Sequence, residues 1–371
     1  MLIKTEENLK YLLHPSCKIK HKKKHGEFLL IKDIGTSYEI SKEIYDFLLV
    51  FSKASSKEKA FNMFVGKRVG NKSMKNLLNV FFNEMVDEKI LIEEGIIRSK
   101  IEINKFRFKK RDSIECFKII KRISTNGYSE VYETKHLNKK EAMILKCLNL
   151  PNYLNAKEVE KYRSRLDYEV KVLQKLVHLD HFPHLAASKV KDLWLVMNKC
   201  KGKMLHHFIH QKRLKNRSKW ILVQQLVDAI RQLHNRDIIH SDLHYGNVLV
   251  DKTLHLSIID FDQARFEYDT CNTMHGYYPF LAPEQIRKDS IKYIKEGSTK
   301  KTDIYQLGIL LYYIFYERLP FEAKQWPELY TQIKNGKPYY SSKKKYKKIN
   351  RIIKMCLRSD PDTREMISFQ L

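Results

Sequence analysis

The first hundred residues change periodicity several times. Residues 17–24 and 27–32 read as strands with a Lys-His-Gly turn between them, and Gly35-Thr36-Ser37-Tyr38-Glu39-Ile40-Ser41 reads as a turn into a short third strand. The pattern then becomes helical. Ser41 is a candidate N-cap, with Glu43 in the first turn, for a helix that buries Ile44, Phe47, Leu48 and Phe51. Ser55 and Ser56 start a second helix containing Phe61 and Phe64, and residues 73–88 form a third with Leu77, Val80, Phe81 and Met85 on one face. Lys89-Ile90-Leu91-Ile92 closes the unit as a strand. Strands followed by three short helices predict a small winged-helix-like domain over residues 1–97. The charged stretch 98–112 reads as a linker.

Further along, apolar runs bracket charged groups. Ala142-Met143-Ile144-Leu145-Lys146 is a strand ending in a lysine, and a lysine buried among apolar neighbours needs an anionic partner. Glu169 is the candidate, on a helical stripe with Leu166, Val170 and Leu173; the alternative is a lysine that snorkels to the surface. Asp242, Asn247 and Asp260 stand at the ends of apolar, strand-like runs within the stretch Ile239 to Val250 and the following Ile258-Ile259-Asp260-Phe261-Asp262. Two acids and an amide so placed are what is needed to hold magnesium and a hydroxyl nucleophile beside a nucleoside triphosphate. Such chemistry asks the protein for positioning and for neutralisation of spreading negative charge.

The order of these runs resembles the catalytic core of the protein-kinase superfamily. His240-Ser241-Asp242-Leu243 with Asn247 matches the catalytic loop, Asp260-Phe261-Asp262 the Asp-Phe-Gly metal motif, and Ala282-Pro283-Glu284 the Ala-Pro-Glu motif. Thr302-Asp303-Ile304-Tyr305-Gln306-Leu307-Gly308 is similar to the buried helix whose Asp braces the catalytic loop. Asp360-Pro361-Asp362-Thr363-Arg364 is similar to the late segment whose Arg pairs with the Glu of Ala-Pro-Glu. The resemblance implies an α+β, bilobal kinase-like fold over residues 113–371, with a small lobe at 113–197, a large lobe at 203–371, and ATP and Mg2+ between them. It implies that Lys146 grips phosphates, Glu169 orients Lys146, Asp242 handles the acceptor hydroxyl, and Asn247 with Asp260 holds metal. The phosphate-covering loop would be Ser124, Asn126, Gly127 and Ser129, with Val131 over the base and Met197 at the back of the nucleotide pocket.

Several positions depart from the family. Ser124, Asn126 and Ser129 occupy the usual glycine positions; they are mild replacements, being small, with Asn tolerant of left-handed backbone. Ser241 replaces the arginine that clasps a phosphorylated activation loop. His244 replaces the lysine that helps stabilise transferred phosphate, so the charge there depends on pH. Asp262 replaces glycine, either as a further metal contact or as a turn former, and Tyr277 stands where serine/threonine kinases usually carry threonine. The Asp-Leu-His-x-Gly-Asn wording and Asp-Phe-Asp also resemble small-molecule kinases of the aminoglycoside and choline phosphotransferase type, which generally lack the Ala-Pro-Glu and late Arg features.

Composition changes the picture little. At 371 residues with 43% hydrophobic content the chain can hold two cored domains. No apolar run approaches the roughly 20 residues of a membrane span, and the N-terminus lacks signal-peptide architecture. The six cysteines are scattered without a Cys-x-x-Cys pair, which argues against a zinc site and for a reducing cytoplasm. The net charge of +27 is spread along the chain, with local runs at 18–25 and 342–348 that read as solvated faces. No aromatic-interleaved basic strand supports nucleic acid as a partner.

The N-terminal pattern resembles the leader-peptide-binding domains related to pyrroloquinoline-quinone chaperones. The features that carry it are His14-Pro15, Gly35 with Tyr38 and Ile40, and the closing Ile90-Leu91-Ile92. That resemblance implies capture of an extended peptide at a sheet edge. The expected function is ATP- and Mg2+-dependent phosphorylation of a Ser/Thr hydroxyl on a protein or precursor-peptide substrate. The alternatives are a small-molecule kinase and a non-catalytic nucleotide-binding scaffold. Oligomeric state stays open.

Overall fold

The computed structural model describes residues 9–13, 17–22, 27–32, 36–40, 42–53, 55–65, 79, 82–83, 85–86, 90–93, 106–126, 128–138, 141–150, 154–211, 214–268, 278–286, 298–323 and 326–365. Among the expectations above, those on His14-Pro15, Gly35, Ser41, Leu77, Val80, Phe81, residues 98–105, Gly127 and Tyr277, and on the side chains of Phe64 and Asn126, lie outside the described residues. The chain divides into two compact units, Met1–Tyr162 and Arg163–Leu371.

The first unit opens with β1 (Lys10–Leu13), β2 (Cys17–Lys22), β3 (Glu27–Lys32), β4 (Thr36–Ile40), α1 (Lys42–Val50), β5 (Ser55–Ser56), α2 (Lys57–Val65) and β6 (Leu91–Glu93). β2, β3 and β4 form an antiparallel meander in register Cys17↔Lys32 and Phe28↔Ile40. β1 lies between β5 and β6, antiparallel to both. Phe47, Leu48 and Phe51 meet Ala60, Phe61, Phe82, Ile90 and Leu91 in one core, with Tyr11, Leu13, Ile19 and Ile44 packed against it.

One detail differs from the expectation. Ser55 and Ser56 pair with β1 as strand, and the helix begins one residue later, with Ser56 Oγ accepting from the Lys59 N–H at 3.2 Å as a cap. Among the described residues of the third helical segment, Phe82 is buried; it meets Tyr11 edge-on at 4.9 Å and lies 5.8 Å from Phe51 and 6.1 Å from Phe61. Phe82 therefore sits at the centre of an aromatic cluster.

The same unit carries β7 (Ser113–Ile114), β8 (Phe117–Asn126), β9 (Ser129–His136) and β10 (Ala142–Leu148) as an antiparallel meander. Two register shifts, at Ile119/Lys121 and Arg122/Ser124, let the ten-residue β8 bend. Residues just ahead of β7 are tied to this sheet. The Arg107 N–H donates to Glu130 Oε2 at 3.1 Å, its guanidinium to Leu148 O at 2.9 Å, and the Phe108 N–H to the Tyr132 hydroxyl.

α3 (Ala156–Lys175) runs into the second unit, followed by the hairpin β11 (Leu185–Lys189) and β12 (Trp194–Asn198). Then come β13 (Lys203–Met204), α4 (Leu205–Gln211), α5 (Asn216–His234), β14 (Ile238–Ile239), β15 (Val248–Val250), β16 (Leu256–Ile258), β17 (Arg265–Phe266), α6 (Lys300–Tyr316), α7 (Trp326–Asn335) and α8 (Lys347–Cys356). α6 is the hub: every residue from Thr302 to Phe315 is buried, which is why it lacks an apolar stripe. Thr299 and Thr302 form a capping box at its start. At Gly308 an added Cβ would meet Cys356 Cβ at 2.6 Å, so α8 approaches α6 at a point where only hydrogen fits. Among the described residues no helix is long and apolar enough to cross a membrane.

Candidate active site

Two short ladders frame the central loops of the second unit. β14 pairs with β17, and β15 with β16, so the loop 240–247 and the loop 259–264 leave the same pair of ladders side by side. The loops are also bonded to each other. The Ile259 N–H donates to Asn247 O at 2.9 Å, and His240 Nε2 lies 3.3 Å from Ile259 O. Asn247 Nδ2 donates to the backbone oxygen of Asp242 at 3.0 Å. Asp242, Asn247 and Asp260 are thus held on two cross-tied loops. Asp260 takes a left-handed backbone (φ 67°), as does Ser241 (φ 69°), a conformation that costs a non-glycine residue about 1–3 kcal/mol and collects at working sites.

The catalytic-loop backbone is pinned from below by α6. Asp303 is fully buried. One of its oxygens accepts from the His240 N–H and the other from the Ser241 N–H, both at 2.9 Å, and the first also meets His234 Nε2 at 3.0 Å. Gln306 adds a second clasp, accepting from the Leu243 N–H at 2.9 Å and donating to Ser241 O at 3.0 Å. The sequence placed Gln306 in the motif without a task; a polar side chain one turn beyond Asp303 on the same helix was the available signal. Phe261 is buried against Phe182 and His240, with ring centroids 6.0 and 5.0 Å away.

His244 is half-buried, with its side chain 18% exposed, and its charge is suppressed. Desolvation is the main cause, reinforced by neighbouring His240 and opposed by Asp260, and its pKa drops to about 4. Its Nδ1 accepts from the Gly246 N–H at 3.1 Å, so the neutral ring carries its proton on Nε2, which faces Asp242 Oδ2 at 3.7 Å. A neutral N–H donor therefore stands where the family usually carries a lysine, in keeping with the pH-dependent charge expected of a histidine there.

Two predictions follow from this geometry. A Cβ on residue 246 would meet His244 Cε1 at 2.7 Å and Nδ1 at 2.9 Å, so Gly246→Ala must push the ring away from Asp242. Turnover is expected to fall by up to about 100-fold; unchanged turnover with the fold intact would show that the placement of His244 does not matter. The second concerns acid. Between pH 6.5 and 4 the unfolded chain protonates this histidine and the folded chain does not, so stability falls on acidification through that window, by about 3 kcal/mol from this group. Urea titrations without nucleotide should show His244→Gln losing less stability than the parent between pH 6.5 and 4; parallel curves would reject the assignment. His240, buried and also held neutral, is common to both proteins.

In the first unit the residues expected to cover phosphates lie on the β8–β9 hairpin, in register Ser124↔Val131 and Asn126↔Ser129. Its tip is held down by the Asn149 N–H donating to Tyr128 O at 2.8 Å and by Tyr128 packing on Tyr162. At its base Glu130 is buried, accepting from Asn149 Nδ2 at 2.7 Å and from the Tyr132 hydroxyl. Ser129 Oγ is buried with no hydrogen-bond partner among the described residues, leaving a donor without an acceptor. Lys146, buried on β10, stands opposite Val131.

Glu169 is buried on α3, and Met197 is half-buried on β12. α3 is moored to the strand that follows the 259–264 loop. The Phe266 N–H donates to the Tyr168 hydroxyl at 2.6 Å, their rings lie 5.2 Å apart, and Lys175 Nζ sits 4.3 Å over the Phe266 ring. Farther along, Arg364 is completely buried and grips Glu284 with two parallel bonds of 2.7 and 2.8 Å.

Comparison with known proteins agrees with this architecture. Residues 117–369 match the protein kinase domain family. The chain is 32% identical over 252 residues to a serine/threonine-protein kinase of Acanthamoeba polyphaga mimivirus, covering 64% of this chain and 80% of the relative. It is 27% identical over 218 residues to a serine/threonine-protein kinase of Zea mays, covering 57% of this chain and 33% of that one. With the carbon catabolite-derepressing protein kinase of Secale cereale it shares 24% over 233 residues, 61% and 44% of the two chains. It thus spans less than half the length of the two plant relatives. The chain belongs to the protein kinase family, and these enzymes to which it is similar are serine/threonine protein kinases.

Proposed function

We propose that the chain transfers the terminal phosphoryl group of ATP to a serine or threonine hydroxyl of a protein substrate. The observation that carries this reading is the cross-tie between the two loops, which keeps Asp242, Asn247 and Asp260 in one constellation. Asp242 would orient the acceptor hydroxyl and take its proton, with the Nε2–H of His244 beside it as a neutral donor. Lys146 would supply positive charge to the phosphates, Glu169 would orient it, and Ser129 Oγ would offer its unused hydrogen. Met197 would line the base pocket with Val131.

The donor set suits Mg2+. Asn247 spends its amide N–H on Asp242 and keeps its oxygen, and Asp260 adds a carboxylate, both hard ligands. Mg2+, when bound, would neutralise charge on the phosphates of ATP.

The buried Glu284–Arg364 fork favours a protein acceptor over a small alcohol, since phosphotransferases of the aminoglycoside type generally lack both residues. For the N-terminal segment we infer a substrate-capturing role, by addition of an extended peptide to an outer strand, β2 or β4, of its meander. Incubation of the full chain with γ-labelled ATP, Mg2+ and either protein or small-alcohol acceptors, followed by phosphoamino-acid analysis, tests the main reading. Label on phosphoserine or phosphothreonine supports it. Label only on small alcohols, or no transfer at all, overturns it.

A further inference from the structure

The outer face of α8 has no task in phosphoryl transfer. Its inner face, Ile349, Ile352, Ile353 and Cys356, is buried, and this fixes what points outward. Lys347, Arg351 and Lys354 follow at intervals of four and three residues, a single stripe about 10 Å long, and Arg358 stands two residues beyond the helix end. With Lys344 and Ser341 they line a cavity of about 810 Å³, within the size range of small-ligand sites.

The stripe is not neutralised by acids, as some other surface cations are: Lys171 meets Asp167, Lys189 meets Asp192, Arg231 meets Asp228 and Lys300 meets Asp237. What sets it apart from other unpaired lysines is that its cations line one concave space. Among the described residues Lys344, Lys347, Arg351 and Lys354 have no carboxylate partner. Lys354 Nζ instead sits 4.8 Å over the Tyr340 ring. Like charges at such spacings destabilise a helix by a few tenths of a kcal/mol each, and Lys347 faces the positive end of its own helix dipole. The opposite wall is also rigid. The Tyr316 hydroxyl donates to Asn350 Oδ1 at 2.7 Å and accepts from the Ser341 N–H at 2.9 Å, while Asn350 Nδ2 donates to Ser341 O at 2.8 Å.

We propose that this cavity is a binding site for a compact anion bearing several phosphates, of the inositol polyphosphate class, free or as a lipid headgroup. Five cations converging on one concave space match a ligand of equally dense charge. An extended acidic peptide would present only a few single charges over that length, because its side chains alternate in direction. A nucleic-acid strand would want bases stacked on aromatics, and no aromatic lines the cavity. Arg351 and Arg358 offer planar forks for phosphate oxygens.

Calorimetric titration of the full chain with inositol hexakisphosphate, in magnesium-free buffer at physiological salt, tests this without reference to kinase activity. Lys347→Gln/Arg351→Gln/Lys354→Gln should weaken binding at least about tenfold. A control set on exposed lysines elsewhere, Lys118→Gln/Lys157→Gln/Lys161→Gln, should change it less than about twofold, with circular dichroism confirming that both variants fold. Equal loss in the two sets would reduce the effect to net charge and overturn the site, as would absence of binding. Tighter, equally stripe-dependent binding of a 12-nucleotide RNA would also overturn it in favour of a polynucleotide surface. Vesicles containing phosphatidylinositol bisphosphate, set against phosphatidylserine vesicles, separate the two sources. Stripe-dependent retention on the former alone assigns the headgroup, and retention on neither, with the soluble anion bound, assigns the free form.

Discussion

Asp242→Asn is expected to lower turnover by roughly 100- to 10,000-fold while leaving the affinity for ATP and Mg2+ nearly unchanged. The substitution keeps the size of the side chain, and the backbone oxygen that Asn247 holds at 3.0 Å is untouched, so the loop keeps its shape. What is lost is the carboxylate proposed to accept a proton from the acceptor hydroxyl. The Nε2–H of His244 then faces a neutral amide and cannot substitute, since it is a donor. Steady-state kinetics combined with calorimetric binding of ATP separate the two effects. Turnover equal to the parent would remove Asp242 from its assigned role, and loss of ATP binding alongside would mean that the loop had moved.

Arg364→Ala is expected to cost about 3–5 kcal/mol of stability, a large share of the roughly 5–15 kcal/mol that a folded protein has. The guanidinium is completely buried, and its donors reach Glu284 twice, Lys301 O at 3.0 Å, Arg358 O at 2.6 Å and Ser359 O at 3.1 Å. Removing it strands the Glu284 carboxylate, which among the described residues keeps only the Thr302 hydroxyl at 3.0 Å. The penalty therefore comes chiefly from the charge left behind. The double variant Glu284→Leu/Arg364→Met should recover much of the loss, because neither charge remains to be desolvated. Urea denaturation of the parent and the two variants is the measurement. A single variant within about 1 kcal/mol of the parent, or a double variant worse than the single, would contradict this account.

The loops around Asp242 and Asp260 were legible because their requirements are written locally: acids and an amide at fixed intervals between short strands. The Glu284–Arg364 pairing, 80 residues apart, was legible only through resemblance, and the fork is as expected. Other features needed partners that spacing does not reveal. β1 is four residues long and exists because residues near 55 and 92 flank it. The choice of Phe82 for the aromatic cluster depends on Tyr11, far back in the chain. The need for glycine at 246 arises from the fold of the His244 ring over the backbone, which no periodicity encodes. The lysine run at 342–348 reads as a solvated face until α8 extends it to Lys354 and the loop behind it closes a wall.

The mooring of α3 at Tyr168 has a mechanical consequence. The hydroxyl that receives the Phe266 N–H belongs to the residue next to Glu169, so a pull on the chain just beyond Phe266 is passed towards Glu169 through that hydrogen bond and the tilted ring pair. The segment that leaves the 259–264 loop and the helix bearing Glu169 are coupled as a lever and its load. Whatever draws that segment outward also strains the helix at Glu169, without touching that residue.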